Sequence, residues 1–505
     1  MKELLFLPEP KLIFAHEQTI EHPKDGLFLF GPPTDHTQPI DMRFGVVGTT
    51  AGIARFRRWM ESVRHYLPPK KEGVPHHAAF PGFAAVFQAR WPAQPVVEVT
   101  VDEATIQRTI RIDNPHEAIF QTVDIYLSAI RTSLRQSDAR PEFWYVVIPE
   151  DIHTYGRPKS QVPKAERTPA QNKMTEARAR QLQVQTSLLQ EDYDDAEIFR
   201  YERNFHHQLK ARLLEDNVVV QIVRETTLAP EEFMVGNRLL RSVQDPATIA
   251  WNLLTTSYFK ATGKPWKLAG VREGVCYVGI VFKKQNTEFQ DRQACCGAQM
   301  FLDSGDGLVF KGAVGPWYVE NTKEYHLSRD KARELIELVV THYQKTHGRP
   351  PNELFIHGRA RFSSDEWRGF EDAAPKATKL AGIRIIRPSN LKLFRIGSHP
   401  VPRGAAYILN PGIAYLWTVG YISRLATYPG WEVPNPLLID INRGADAVDM
   451  QTVLKDILGL TKLNYNGCNF SDSYPVTLKF ANAVGDILTA APVKSDSPWP
   501  FRHYI

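Results

Sequence analysis

Along the first half of this sequence, short runs of consecutive apolar residues are each followed by a longer amphipathic stretch. That alternation limits the fold more than any other feature. The first pair begins at Met42: RFGVVGTT reads as a buried strand, and AGIARFRRWMESVRHYL as a helix with apolar positions at Ile53, Phe56, Met60 and Val63. The pattern returns as HEAIFQTVDIYLSAIRTSLRQ (roughly 115–135) before FWYVVIP (143–149), and again as FHHQLKARLLE (205–215) before VVVQIV (218–223). It closes on the helical stretch ATIAWNLLTTSYFKATG, which runs into Lys264-Pro265-Trp266. Strands separated by helices imply a parallel sheet, so the expected fold class is α/β. A glycine and threonines at the first strand-to-helix turn suit such a fold, but the spacing GxGxxG is absent and no dinucleotide site is expected there. The polar stretch 156–200 reads as an exposed loop or an irregular helix.

A second unit starts near residue 270. CYVGIVF (276–282) and ACCGAQMFL (294–302) read as strands, then DSGDG (303–307) as a turn and LVFKGAV as a third strand. DSGDG is far too short for an EF-hand loop and lacks its distal glutamate, so a hairpin turn is the expectation. A helix at 328–347, a strand at 353–359, a helix from about 364, strands at 383–396 and 405–409, and helices near 448–463 and 479–489 complete the chain. Strands first and helices later is the order of a ribonuclease-H-like α+β fold.

The 505 residues are 43% apolar and 23% charged, which excludes a mainly disordered chain. An apolar run of about 18 residues is missing, as are the charged start and cleavage site of a signal peptide, so a cytoplasmic location is expected. The cysteines Cys276, Cys295, Cys296 and Cys468 are too few for a disulfide scaffold, and the adjacent pair lacks CxxC spacing; buried free thiols are the expectation. The net charge of +5 is unevenly placed: residues 201–285 hold 12 Lys/Arg against 8 Asp/Glu, and residues 341–405 hold 12 against 5. Two basic blocks fit a polyanion partner such as nucleic acid, and they equally fit solvated, paired surface charge.

Four segments, in order, carry a resemblance. EPKLIFAHEQ…DGLFLFGPP, FHHQLKARLLE, GKPWKLAG…GVCYVGIVFKK and VPNPLLIDINRG…VLKDILGLTKLNYN…PVTLKFANAVGDIL together resemble a short prokaryotic Argonaute, end to end. The resemblance implies a lead-in segment (1–40), a Rossmann-like MID domain (41–265) and a ribonuclease-H-like PIWI domain (266–505). It also implies that the MID domain holds the 5′ end of a guide strand, at His206, Lys210, Gln221 and Lys260. His206 and Lys210 lie one helical turn apart and can reach one phosphate. In relatives the terminal carboxylate helps hold a divalent cation beside that phosphate. The matching ligands here are Ile505 and Gln221, with Mg2+ as the implied cofactor. His206 stands where many relatives carry tyrosine. An isolated His-xxx-Lys on a helix is more often a solvated face; Gln221, Lys260 and the FRHYI tail carry the phosphate reading.

Cutting PIWI domains use acidic ligands to hold two magnesium ions about 4 Å apart on the scissile phosphate. By resemblance, the first acid position is Val281, the third is Arg359 and the last is Asn482, none of which suits magnesium; the second is not placed. Asp303, Asp365 and Asp440 are the acids that a displaced site would have to gather. Arg359 and Arg361 instead suit the backbone of a guide–target duplex, with Lys392, Arg395 and Arg403 as further candidates.

The resemblance then implies a guide-RNA-binding subunit that recognises complementary single-stranded DNA of plasmids or phage without cutting it. Its partner would be an APAZ protein carrying a TIR domain that hydrolyses NAD, in a heterodimer that oligomerises on the target. FAHEQ…DGLFLFGP, ACCGAQMFLDSGDG and KLNYNGCNF point to that TIR branch. A sirtuin-like or nuclease effector, an active ribonuclease-H-like nuclease, and a sugar- or nucleotide-binding α/β enzyme are the alternatives.

Overall fold

The computed structural model describes residues 2–33, 41–182, 190–270, 272–284, 294–302, 307–315, 318–319, 324–388, 391–428, 430–444, 448–492 and 498–505. Strand β1 (Glu3–Phe6) belongs to a long sheet formed by the second half of the chain. Before that sheet come β2 (Phe44–Gly48), β3 (Val97–Thr100), β4 (Phe143–Ile148) and β5 (Val220–Arg224), in the order β3-β2-β4-β5 with every neighbouring pair parallel. Helices α1 (Thr50–Ser62), α2 (Pro115–Gln136), α3 (Phe205–Leu214) and α4 (Pro246–Thr262) accompany them.

The apolar runs are continuous because this sheet is covered on both faces. Phe143, Tyr145 and Val147 of β4 pack into one core with Phe56, Trp59 and Met60 of α1, while Trp144, Val146 and Ile148 pack into another with Ile119, Val123 and Tyr126 of α2. Gly45 is required by close approach, since a Cβ there would lie 2.7 Å from the Trp144 ring.

The expected absence of a dinucleotide site has a physical counterpart. At the N-terminus of α1, where a pyrophosphate would sit, Thr49 accepts from the Gly52 N–H (2.9 Å) and donates to Glu225 Oε1 (3.0 Å). Arg55 binds the other oxygen of Glu225 (3.0 Å). The buried Glu225 carboxylate occupies the anion position itself.

The long sheet contains β6 (Val275–Lys284), β7 (Ala294–Leu302), β8 (Gly307–Gly315), β9 (Glu353–Gly358), β10 (Lys379–Ile386), β11 (Ala405–Asn410), β12 (Ile413–Leu416), β13 (Leu437–Arg443) and β14 (Trp499–Pro500). The order is β1-β11-β12-β13-β10-β9-β6-β7-β8-β14. Strands β6, β7 and β8 form an antiparallel meander, and β9 and β10 continue parallel to β6. Helix α5 (Arg329–His347) crosses from β8 to β9, and α6 (Ser364–Ala373) from β9 to β10. That is the ribonuclease-H-like arrangement. Cys276, Val278 and Ile280 of β6 meet α5 and α6 on one face. Tyr277 belongs to the core on the other, with Val453, Leu454 and Ile457 of α7 (Met450–Leu460). Helices α8 (Val476–Lys479) and α9 (Ala481–Thr489) lie against β6 so closely that a Cβ on Gly279 would fall 1.9 Å from the Thr477 carbonyl oxygen.

Several expectations are corrected. The strand expected over 383–396 is β10, which starts earlier and ends at Ile386, just before Arg387-Pro388, where Pro388 brings no N–H to the ladder. Strands β12 and β13 were not anticipated; Asn410-Pro411-Gly412 turns the chain from β11 into β12. Of the two alternatives for residues 156–200, the helical one holds in part: among the described residues, Glu176–Gln181 and Gln190–Glu197 are short helices. Cys276 and Cys468 are buried free thiols, as expected. The DSGDG turn falls largely outside the described residues. Among the described residues, no helix is long and apolar enough to cross a membrane.

Candidate nucleic-acid interface

Helix α3 begins at Asn204, whose side chain accepts from the His207 N–H (3.3 Å). One turn in, Lys210 is buried, and its ammonium donates to the main-chain oxygens of Ile505 (2.8 Å) and Tyr504 (3.5 Å). Lys260, in the last turn of α4, is fully buried and donates to the Val220 carbonyl (2.7 Å) and to Gln221 Oε1 (2.8 Å) on β5. Arg502 donates to the Lys260 carbonyl (3.2 Å), tying the last residues to the same spot. Among the described residues, neither ammonium pairs with a side-chain carboxylate.

Burial therefore governs the electrostatics. It pushes Lys210 down to about 7. Lys260 falls well below its ordinary range, through desolvation first and the neighbouring Lys210 charge second. His206 is exposed on the surface, yet protein surrounds its ring closely enough that desolvation, then Lys210, His207 and Lys260, hold it neutral. His503, buried against the Trp499 ring, is pushed to about 3 by burial and then by the cations Arg502 and Lys260.

Lys210, Gln221, Lys260 and Ile505 are thus brought together, with His206 beside them on the Lys210 helix. Arg502 and His503 join them, although the tail read only as apolar and aromatic in the sequence. Gln221 and Ile505 present hard oxygens, the donor type that Mg2+ prefers. Each of those oxygens already accepts a lysine ammonium, so the cluster alone favours an anion. A divalent cation fits once a phosphate contributes its own charge and oxygens.

The C-terminal ends of β6, β9 and β10 share one edge of the long sheet because the three strands are parallel. Val281 lies on β6 opposite Gly297, Arg359 follows β9, and Asn482 lies in the first turn of α9. Lys283, two residues beyond Val281, binds Asp486 of α9 (2.5 Å). Arg359 and Arg387 are exposed and stack over the Tyr474 ring at 5.8 and 4.9 Å. Arg361 is 60% exposed at its side chain and binds the buried Asp440 (2.8 Å).

Of the displaced-acid candidates, Asp440 is held by Arg361, Asp365 is exposed at the start of α6, and Asp303 lies outside the described residues. Arg403 is a correction. It is buried, bound to Glu9, to Thr461 Oγ1 (2.7 Å) and to the Thr418 carbonyl, and so holds the lead-in segment rather than lining a channel. Lys392 is half-buried on the Val433 carbonyl (2.7 Å), and Arg395 is exposed.

No protein-family model matches the sequence, and no curated protein matches it significantly. Solved structures do match. The Argonaute of Clostridium butyricum, bound to a guide DNA and a 19-mer target DNA, is 15% identical, with 97% of this chain and 54% of that one covered at a TM-score of 0.59. The Aa-Ago structure with externally bound siRNA is 12% identical (100% and 56% covered, TM-score 0.55). A structure of A. aeolicus Argonaute is 13% identical (99% and 54%, TM-score 0.54). This chain spans about half the length of those proteins, and it has an Argonaute-like fold.

Proposed function

We propose that this chain holds the 5′-phosphorylated end of a guide RNA and presents the guide to complementary single-stranded DNA, which it does not cut. One observation carries the reading: two buried ammoniums, Lys210 and Lys260, without a side-chain carboxylate between them among the described residues. A phosphate dianion offers both what the main-chain and amide oxygens supply only weakly. Entering beside His206, it would draw the lysine donors to itself and restore their full charge. Gln221 and Ile505, relieved of their lysines, would then hold a Mg2+ carried with the phosphate, which would neutralise charge at the guide's end. The positive end of α3 adds to the attraction. The neighbours' bound guide, target and siRNA support the same reading.

The absence of cutting rests on Val281, Arg359 and Asn482 at the expected acid positions, none of which is a ligand for magnesium. A cation-rich edge suits a phosphate backbone instead. The wider role follows the resemblance: a sensor of invading DNA that activates an APAZ partner carrying a TIR NADase.

The test compares binding of 5′-phosphorylated and 5′-hydroxyl RNA and DNA guides by the wild type and by Lys210→Ala and Lys260→Ala. A 5′-phosphate preference that both variants lose is expected; equal binding of both ends overturns the reading. Cleavage of a matched target with Mg2+ or Mn2+ would refute the inactive edge. An NAD assay with the co-expressed APAZ partner tests the effector, and complementary DNA should trigger NAD loss.

A further inference from the structure

Glu202, His207 and Asp486 place one carboxylate oxygen, one imidazole nitrogen and a second carboxylate oxygen all within 4.8 Å of one another. We infer that this triad binds a divalent transition-metal ion, Zn2+ above all, and staples the first α/β unit to the ribonuclease-H-like unit.

Glu202 and His207 come from the lead-in and first turn of α3; Asp486 comes from α9, at the far end of the chain. The main chain holds them in place. The Glu202 N–H donates to the Ala490 carbonyl (2.9 Å), one helical turn beyond Asp486. The Gln208 amide donates to the Glu202 carbonyl (3.0 Å), and Asn204 fixes the His207 backbone. His207 Nδ1 already faces Glu202 Oε2 at 3.1 Å.

The donor set decides the ion. One imidazole and two carboxylates suit Zn2+, which accepts nitrogen and oxygen at about 2.0–2.2 Å, whereas Mg2+ and Ca2+ favour oxygen alone. Three protein ligands leave a fourth position for water. Two carboxylates neutralise the ion, and Asp486 also pairs with Lys283 through Oδ1. All three side chains are partly exposed, so an ion has a way in. Binding would fix α3, which carries His206 and Lys210, against α9.

The test titrates the full-length chain, freed of metal and of nucleic acid, with Zn2+ by calorimetry, and with Co2+ by visible absorption. One equivalent, a ligand-field band showing nitrogen and oxygen ligation, and a higher melting temperature with Zn2+ are expected. Asp486→Asn and His207→Gln should each weaken binding by roughly 10- to 100-fold or more, and should remove the thermal shift. Glu202→Gln serves if either fails to fold. Lys210→Ala should bind Zn2+ as the wild type does, which separates this site from the phosphate cluster. Absence of stoichiometric uptake by the wild type, or unchanged affinity in the triad variants, would make the triad an ion-pair network only and overturn the inference.

Discussion

Replacing Lys210 by methionine should stabilise the empty protein while it disables guide binding. A lysine titrates near 10.4 in an unfolded chain and at about 7 here, because burial disfavours its charge. At pH 7 the fold therefore bears roughly 4 kcal/mol of unfavourable free energy to keep that group. Methionine, of similar length and apolar, removes the burden. It also leaves the Ile505 and Tyr504 oxygens without their donor, a loss of about 1–3 kcal/mol. The net expectation is a gain of about 1–3 kcal/mol, or roughly 2–4 °C per kcal/mol for a domain of ordinary size. The sign with pH is the sharper check. Between about 7 and 10 the unfolded wild type binds more protons at this position than the folded one, so this lysine's burden shrinks as pH rises. The advantage of Lys210→Met should shrink with it, and urea titrations at pH 7 and pH 9.5 measure that difference directly. A variant less stable than the wild type at both pH values, by the same margin, would refute the argument and make Lys210 a structural tether for the last residues.

Guide affinity should follow the same group in the opposite sense: above pH 7 a bound phosphate must first recharge Lys210, so affinity for a 5′-phosphorylated guide should fall by up to about tenfold per pH unit. Fluorescence anisotropy against a 5′-hydroxyl guide, which should stay flat, measures it. Gly279→Ala should destabilise the ribonuclease-H-like unit by about 3 kcal/mol or more, because its Cβ would meet the Thr477 carbonyl oxygen at 1.9 Å; urea unfolding at near wild-type stability would show that α8 shifts freely. Arg361→Ala should cost about 1–2 kcal/mol by leaving the buried Asp440 without its partner. It should also lower the salt slope of guide–target binding by about one, which filter binding across salt concentrations checks.

What the sequence revealed, and what it hid, follows from the range of each interaction. β4 and α2 were legible because a strand covered on both faces is apolar throughout and a covering helix repeats its apolar stripe locally. His206 and Lys210 share a face of one helix, so their pairing needed only the helical period. The contacts that fix Lys210 did not, since Ile505 lies 295 residues away. Arg403 shows the converse error: within a basic block it reads as a surface cation, but Glu9, 394 residues distant, draws it into the interior. Glu202 and Asp486 carried no signal at all, because residues from two units become neighbours only once α3 and α9 pack together.

The Lys210–Lys260 cluster and the basic sheet edge hold positive charge in different ways, and that would separate a guide-binding protein from a nucleotide-binding enzyme. Lys210 and Lys260 are buried with no side-chain carboxylate paired to either among the described residues, so they reward one compact dianion. Arg359, Arg361 and Arg387 are exposed, two of them stacked on Tyr474, so they suit an extended backbone with modest contacts at each phosphate. A mononucleotide can use only the first arrangement; a guide paired with its target can use both. Affinity should therefore rise steeply from a nucleoside 5′-monophosphate or an unpaired 5′-phosphorylated oligonucleotide to a guide paired with its target. Lys260→Ala should weaken all three ligands, whereas Arg359→Ala and Arg361→Ala should weaken only the paired one. Competition binding with the three ligands reads this out, and a mononucleotide that binds as tightly as the duplex would favour the enzyme reading over the guided one.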